Sequence, residues 1–311
     1  MINDAQKEIQ YNDEIDFEEL LRVLWSAKIK IIAITALFAF ISVVYALWVP
    51  NQYKAEILLA PAQYDGSDLS GISRQIGGLA SLAGVNLGDS QTSEVQIAQE
   101  VMRSWSFIED FIRTNKIEVE VYAAKGWDRK TNKLLIDDDL YNIKTQEWYV
   151  EDDNTGEIGP PSTWKLYKEF SELLVIAEDE SLGLVSLSIE HYSPYIAKQW
   201  SDLYISAINA HMQKRQLERV NNNINYLNLQ IEKTSKAEMK EIFYKIVEEQ
   251  TKDKMVAEAS PEYAFVVVSP SMIPEEKSQP QRALIVILCT FLGGILSILI
   301  VLVKHYTGKL N

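Results

Sequence analysis

The chain has 311 residues, with 30 Lys and Arg against 44 Asp and Glu, a net charge of −14, and a single cysteine. The whole of that charge falls on residues 51–281, which excludes the basic stripe that nucleic acid needs and argues against a domain lying flat on anionic lipid. The one cysteine, Cys289, excludes an intrachain disulfide, so the middle of the chain must rely on its own core and on its neighbours.

Arg22, Lys28 and Lys30 crowd the start of an apolar run from Ile29 to Val49, which is interrupted only by Lys30. Such a run has the roughly 20 residues needed to cross a bilayer core as a helix. It is longer than a signal-peptide core, 28 residues precede it, and Ala46-Leu47-Trp48 is no small-x-small cleavage site, so a retained anchor is predicted. A second run, Ala283 to Val303, carries no charge and is followed by Lys304 and Lys309. Basic residues are held in the cytoplasm. Both termini are therefore expected there, with residues 50–282 outside; Arg282 opposes this at one edge without reversing it. The short end pieces, 1–28 and 304–311, are too small for a kinase or nucleotide-binding domain.

After the first span, Tyr53–Leu59 reads as a strand stopped by Pro61. Residues 65–90 form a Gly/Ser/Asp-rich stretch with Ile76, Leu79, Leu82, Val85 and Leu87 interspersed; it reads as a turn-rich loop that packs on something. One helix is predicted from Ser93, as its cap, to Thr114, with Val95, Ala98, Val101, Met102, Trp105, Ile108 and Ile112 at helical spacing. Strands follow at Glu147–Val150, Leu173–Ile176 and Leu184–Glu190, the last alternating cleanly. Asp152-Asp153-Asn154-Thr155-Gly156 invites a calcium reading, but glycine stands fifth and Thr163 twelfth, so a solvated hairpin turn is expected.

Ser193-Pro194 suits the start of a long helix, with serine as cap and proline in the first turn. Apolar residues at 196, 200, 203 and 207 continue as Leu217, Val220, Ile224, Leu227 and Ile231. A helix running to about Thr234 would be some 60 Å long, too long to be covered by a small domain. Its second stripe is therefore expected to meet copies of the same chain. A further helix from Ser235 to about Ala257 should fold back by means of Met239, Ile242, Phe243 and Ile246. Phe265–Val268 reads as a returning strand that joins Tyr53–Leu59. The fold expected is α+β, a mixed sheet base with a projecting helical arm at about 194–258, flanked by two transmembrane helices.

A connector with Pro270, Pro274 and Pro280 leads to Arg282 and the second span; its prolines make it stiff and extended, and Pro280 is placed to start the membrane helix. Within that span Gly293, Gly294 and Ser297 offer a small-residue surface for close helix packing, as Ser42 and Ala46 do in the first.

Catalysis has little to stand on. Only His191 and His211 lie between the spans, H-E-x-x-H and G-x-S-x-G are absent, and the acidic run Asp137-Asp138-Asp139 reads as solvated. No cofactor, metal or nucleic acid is expected, and the chain does not read as an enzyme.

The segment Asp16-Phe17-Glu18-Glu19-Leu20-Leu21-Arg22-Val23-Leu24-Trp25 before the first span, Tyr53-Lys54-Ala55 after it, Ile189-Glu190-His191-Tyr192-Ser193-Pro194 with Ala197 and Trp200, and Pro280-Gln281-Arg282-Ala283-Leu284 with Gly293-Gly294 together resemble Wzz-type chain-length determinants, the polysaccharide co-polymerases of Gram-negative inner membranes. Gln281 departs from the Pro-Lys-Arg run often found there. The resemblance implies a ring-like homo-oligomer without a kinase domain. It further implies that the oligomer sets the length of lipopolysaccharide O-antigen, with a Wzy-type polymerase acting on undecaprenyl-linked glycan. The competing reading is a membrane-anchored periplasmic sensor or scaffold, which predicts a ligand pocket and unchanged glycan lengths.

Overall fold

The computed structural model describes residues 17–62, 90–152, 155–179 and 181–309. The chain divides into two compact units, residues 1–50 with 279–311, and residues 51–278. The glycine-rich stretch 65–89 lies outside the described residues.

In the first unit, α1 (Phe17–Ser26) is followed by α2 (Lys28–Trp48). The second unit starts with β1 (Tyr53–Pro61), whose Ala55, Ile57 and Leu59 are buried in alternation, as a strand with one covered face requires. Two helices then occupy the stretch expected to hold one, α3 (Ser90–Arg103) and α4 (Trp105–Asn115). The break is at Ser104, whose backbone is extended and whose hydroxyl accepts from the Phe107 N–H. A serine can offer the backbone this alternative partner, and here the cap outweighs an unbroken apolar period. Ser93, the expected cap, stands inside α3. Next come α5 (Glu118–Tyr122) and three two-stranded hairpins: β2 (Ala124–Asp128) with β3 (Lys133–Ile136), β4 (Tyr141–Asn142) with β5 (Glu147–Trp148), and β6 (Val150–Glu151) with β7 (Ile158–Gly159). Asp152 sits at the turn of the last hairpin, its carboxylate accepting from the Thr155 N–H; residues 153–154 lie outside the described residues.

Helix α6 (Thr163–Leu173), capped by Ser162, leads into β8 (Leu174–Asp179) and β9 (Leu184–His191). The long helix α7 runs Pro194–Lys233, 40 residues, and α8 (Ala237–Ala259) returns beside it. The strand β10 (Phe265–Ser269) pairs with β1, giving the order β10-β1-β9-β8. All three pairings are antiparallel, which corrects the expectation of a mixed sheet. β8 and β9 form a hairpin, and β1 and β10 carry the chain out of and back to one end of the unit, so neighbours must run in opposite directions. The final helix, α9 (Arg282–Lys309), belongs to the first unit.

One core holds the second unit together. Ile57, Leu187 and Ile189 of the sheet meet Met102, Ile108 and Ile112 of α3 and α4, with Phe170 of α6 and Trp200, Tyr204 and Ile208 of α7. Phe111 and Phe170 stack around Tyr204, with ring centroids 4.8 and 5.6 Å from its own. The Tyr204 hydroxyl donates to the Met102 carbonyl, so a buried polar group finds a partner.

The stripe on the outer half of α7 is partly covered within the chain. Val220 and Ile231 are buried, and Leu217, Ile224 and Leu227 half-buried, within the chain itself. The cover is α8, which bonds to α7 through Asn223 to Gln250 and through Gln213 to the carbonyls of Ala257 and Ser260. Within a single chain α8 therefore takes up part of this stripe, and Leu217, Ile224 and Leu227 keep part of their surface outside. Conversely Met239, Ile242 and Ile246, expected to turn inward, are 40%, 51% and 37% exposed. With Tyr226 and Leu229 of α7, also exposed, they leave apolar side chains on the hairpin's outside.

Candidate functional site

Three arrangements could carry function: the pair of membrane-length helices, the join between arm and sheet, and the connector.

Helices α2 and α9 are both long and apolar enough to cross a membrane. Trp25 and Trp48 bracket the first, Trp48 being 85% exposed, as interfacial tryptophans are. The two helices pack on each other through small residues. Ser42, Ala46 and Ser297 are buried, and the Thr35 and Ser297 hydroxyls lie 3.5 Å apart. Gly293 faces the Phe38 ring so closely that a Cβ added there would stand 2.6 Å from the Phe38 Cβ. Gly294 is looser, its nearest neighbour being the Thr35 hydroxyl at 4.0 Å. Without a hydrophobic drive inside lipid, association depends on this close approach.

The arm joins the sheet through Asn209, in the middle of α7 and 4% exposed. Its side-chain oxygen accepts from the Ala264 and Phe265 N–H groups, each at 2.8 Å, and its amide donates to the Phe265 carbonyl at 2.8 Å. β10 is an edge strand. The Ala264 carbonyl takes the Ala62 N–H, so the alternation of a strand turns the Phe265 groups outward. The asparagine amide imitates a peptide group and closes that edge. Nothing in the sequence marks Asn209 apart from the other arm asparagines; a polar residue in the 201, 205, 208, 212 buried stripe was the only available signal.

The connector is tied at two places. Ser271, buried, donates to Asp202 of α7 at 2.6 Å, and Ser278 donates its N–H to the Gln52 carbonyl at 2.8 Å. Pro270 is exposed and Pro274 half-buried on that path. Pro280, preceded by a cis peptide bond, stands two residues before α9. It does not occupy the first helical position, which Arg282 takes. Ser193 holds the cap position of α7 without a capping bond from its side chain; its N–H instead donates to His191 Nδ1 at 3.1 Å.

That assignment leaves His191 Nε2 as the donor to the Glu120 carbonyl, 3.3 Å away. The ring, 1% exposed and 4.8 Å from Trp200, links the end of β9 to α5. Burial pushes its pKa down to about 4 against the hydrogen bonds that raise it. The unfolded chain therefore binds a proton below about pH 6.5 that the folded chain refuses until about pH 4. Stability should fall by about 3 kcal/mol as pH drops through that window. Thermal unfolding of the full chain in detergent at stepped pH checks this: His191→Gln should flatten that segment of the curve, and an unaltered pH dependence would remove His191 as its source. Among the described residues no group of three His, Cys, Asp or Glu side chains is placed to hold a metal.

Residues 13–114 match the family model for Wzz, chain length determinant protein. That match covers about a third of the chain, and the matched part resembles a Wzz domain. The Wzz match spans α1, α2, β1, α3 and most of α4. Residues 212–306, covering the outer arm, the connector and most of α9, match GNVR, a G-rich domain on putative tyrosine kinase. Tyrosine-protein kinase etk of Escherichia coli O157:H7 is 30% identical over 124 residues, 39% of this chain, and the same kinase of strain K12 matches equally. The matched part is 16% of the length of those kinases. Among solved structures, a full-length bacterial polysaccharide co-polymerase aligns over 95% of this chain and 99% of its own at 13% identity and a TM-score of 0.38. A fragment of WzzB, polysaccharide co-polymerase from Salmonella Typhimurium, aligns over 73% of this chain and 99% of its own, with 14% identity and a TM-score of 0.30.

Proposed function

We propose that the chain is a non-enzymatic co-polymerase that sets the length of lipopolysaccharide O-antigen, working in the bacterial inner membrane beside a Wzy-type polymerase on undecaprenyl-linked glycan. The Wzz match over residues 13–114 carries the reading. Both ends of the chain lie in the cytoplasm and residues 51–278 in the periplasm, in keeping with the basic residues before α2. The active form is a homo-oligomer. Its contacts are better sought among Tyr226, Leu229, Met239, Ile242 and Ile246, which a single chain leaves exposed, than in the stripe that α8 partly covers. The Gly293–Ser297 surface packs the two membrane helices on each other, and the proline connector links the periplasmic unit to α9 in the chain.

A deletion strain tests this. Gel profiles of its O-antigen should lose the modal band and recover it on complementation with the full chain. An unchanged O-antigen ladder would overturn the assignment, and a change confined to another surface polysaccharide would move the function to that glycan.

A further inference from the structure

Residues 51–278 carry a net charge of −14, equal to that of the whole chain, yet the β2–β3 hairpin reverses that sign locally. From Ala124 to Ile136 it has Lys125, Arg129, Lys130 and Lys133 against a single acid, Asp128. Asp128 is consumed inside the turn, accepting from the Lys130 N–H at 2.9 Å and the Thr131 hydroxyl at 2.7 Å. Arg129, Lys130 and Lys133 are exposed at the tip. Lys125 is held by Asp137 at the opposite end of the two strands, where Asp138 and Asp139 also lie.

Beside this tip stands an aromatic row. The Trp127 ring packs edge-on against Tyr53 at 5.7 Å and lies tilted against Tyr195 at 6.2 Å, and its indole N–H donates to Asn132 at 3.0 Å. Tyr195 is 49% exposed. Tyr53 is the fifth residue after Trp48, the last of α2; five residues reach about 17 Å at full extension. The other chain crossing is equally short. Ser278, bonded to Gln52, precedes α9 by four residues, about 14 Å at most. Both crossings therefore enter the unit at Gln52 and Ser278, which are bonded to each other, and the hairpin's Trp127 packs on Tyr53 next to them.

We propose that this hairpin docks on the anionic headgroups of the leaflet from which α2 emerges. Arg129, Lys130 and Lys133 would meet lipid phosphate, with Trp127 and Tyr195 at headgroup depth, where aromatic rings with one polar end settle. The net charge elsewhere is screened beyond about 8 Å at physiological salt, so the nearest charges decide; Glu275 and Glu276 of the connector limit the attraction to the tip. The inference rests on α2 and α9 crossing the membrane.

Full-length protein reconstituted into phosphatidylcholine vesicles, with or without phosphatidylglycerol, tests it. Flotation reports insertion of the spans independently of docking. Acyl chains brominated just below the headgroup quench nearby tryptophan, and the difference between the native chain and Trp127→Phe isolates Trp127. Its quenching should appear with phosphatidylglycerol and fade at high salt. In the Arg129→Gln/Lys130→Gln/Lys133→Gln variant the docked-to-undocked ratio should fall about fivefold per charge removed. Inserted protein whose Trp127 is unquenched with phosphatidylglycerol, or equally quenched in the triple variant, would overturn the docking while leaving the topology intact.

Discussion

Replacing Asn209 by leucine should destabilise residues 51–278 by roughly 3–5 kcal/mol. The volume is nearly kept, so the loss comes from hydrogen bonding. Two N–H groups and one carbonyl of the 264–265 segment lose their partner, in a place too enclosed for water to replace it. Each orphaned group costs about 1–3 kcal/mol, and the three share one site, so their costs do not simply add. Asn209→Asp should also be costly, because it keeps the acceptor but removes the donor to Phe265. Thermal unfolding gives the size of the effect, and amide exchange at Ala264 and Phe265 gives its place. A loss below about 1 kcal/mol, with those amides still protected, would show that the edge is closed by something other than Asn209.

The second large effect belongs to the membrane helices. Gly293→Leu should separate α2 from α9, since even a Cβ at 293 overlaps Phe38 and neither backbone can yield without losing the seam. Gly294→Ala should be tolerated, its nearest neighbour lying at ordinary contact distance. Cysteines at Thr35 and Ser297, in a chain whose Cys289 is replaced by alanine, would report the spacing through disulfide formation in membranes. Efficient cross-linking in the starting chain, its survival with Gly294→Ala and its loss with Gly293→Leu are expected. Cross-linking that survives Gly293→Leu would mean that the helices meet along another face. If the seam serves length control, the same variant should broaden the O-antigen ladder.

Much of this fold was open to reading because its elements are long and periodic. The predicted end of the arm near Thr234 and the start of the return helix after Ser235 agree with Lys233 and Ala237, since apolar spacing over forty residues averages out local noise. The pairing of Tyr53–Leu59 with Phe265–Val268 followed from their places next to the two spans. The gaps share a cause. Ser104 breaks a continuous stripe through one hydroxyl, and a window of apolar residues cannot register a single cap. Leu217, Val220, Ile224, Leu227 and Ile231 form a real stripe, but periodicity says only that a face is covered, not by which partner. Here α8 of the same chain takes up part of that face, and Met239, Ile242 and Ile246 stand exposed beside it. Asn209 was hidden among many asparagines because its importance lies in what stands opposite, 55 and 56 residues away.

The bond from Ser278 to Gln52 has one more consequence. It places the two ends of the 51–278 unit side by side, so this unit is topologically a closed insertion between two helices. Its interior can change in length or sequence without altering the spacing that its anchors must meet. Variation in the reach of the arm and constancy of the membrane seam can therefore evolve separately within a single chain.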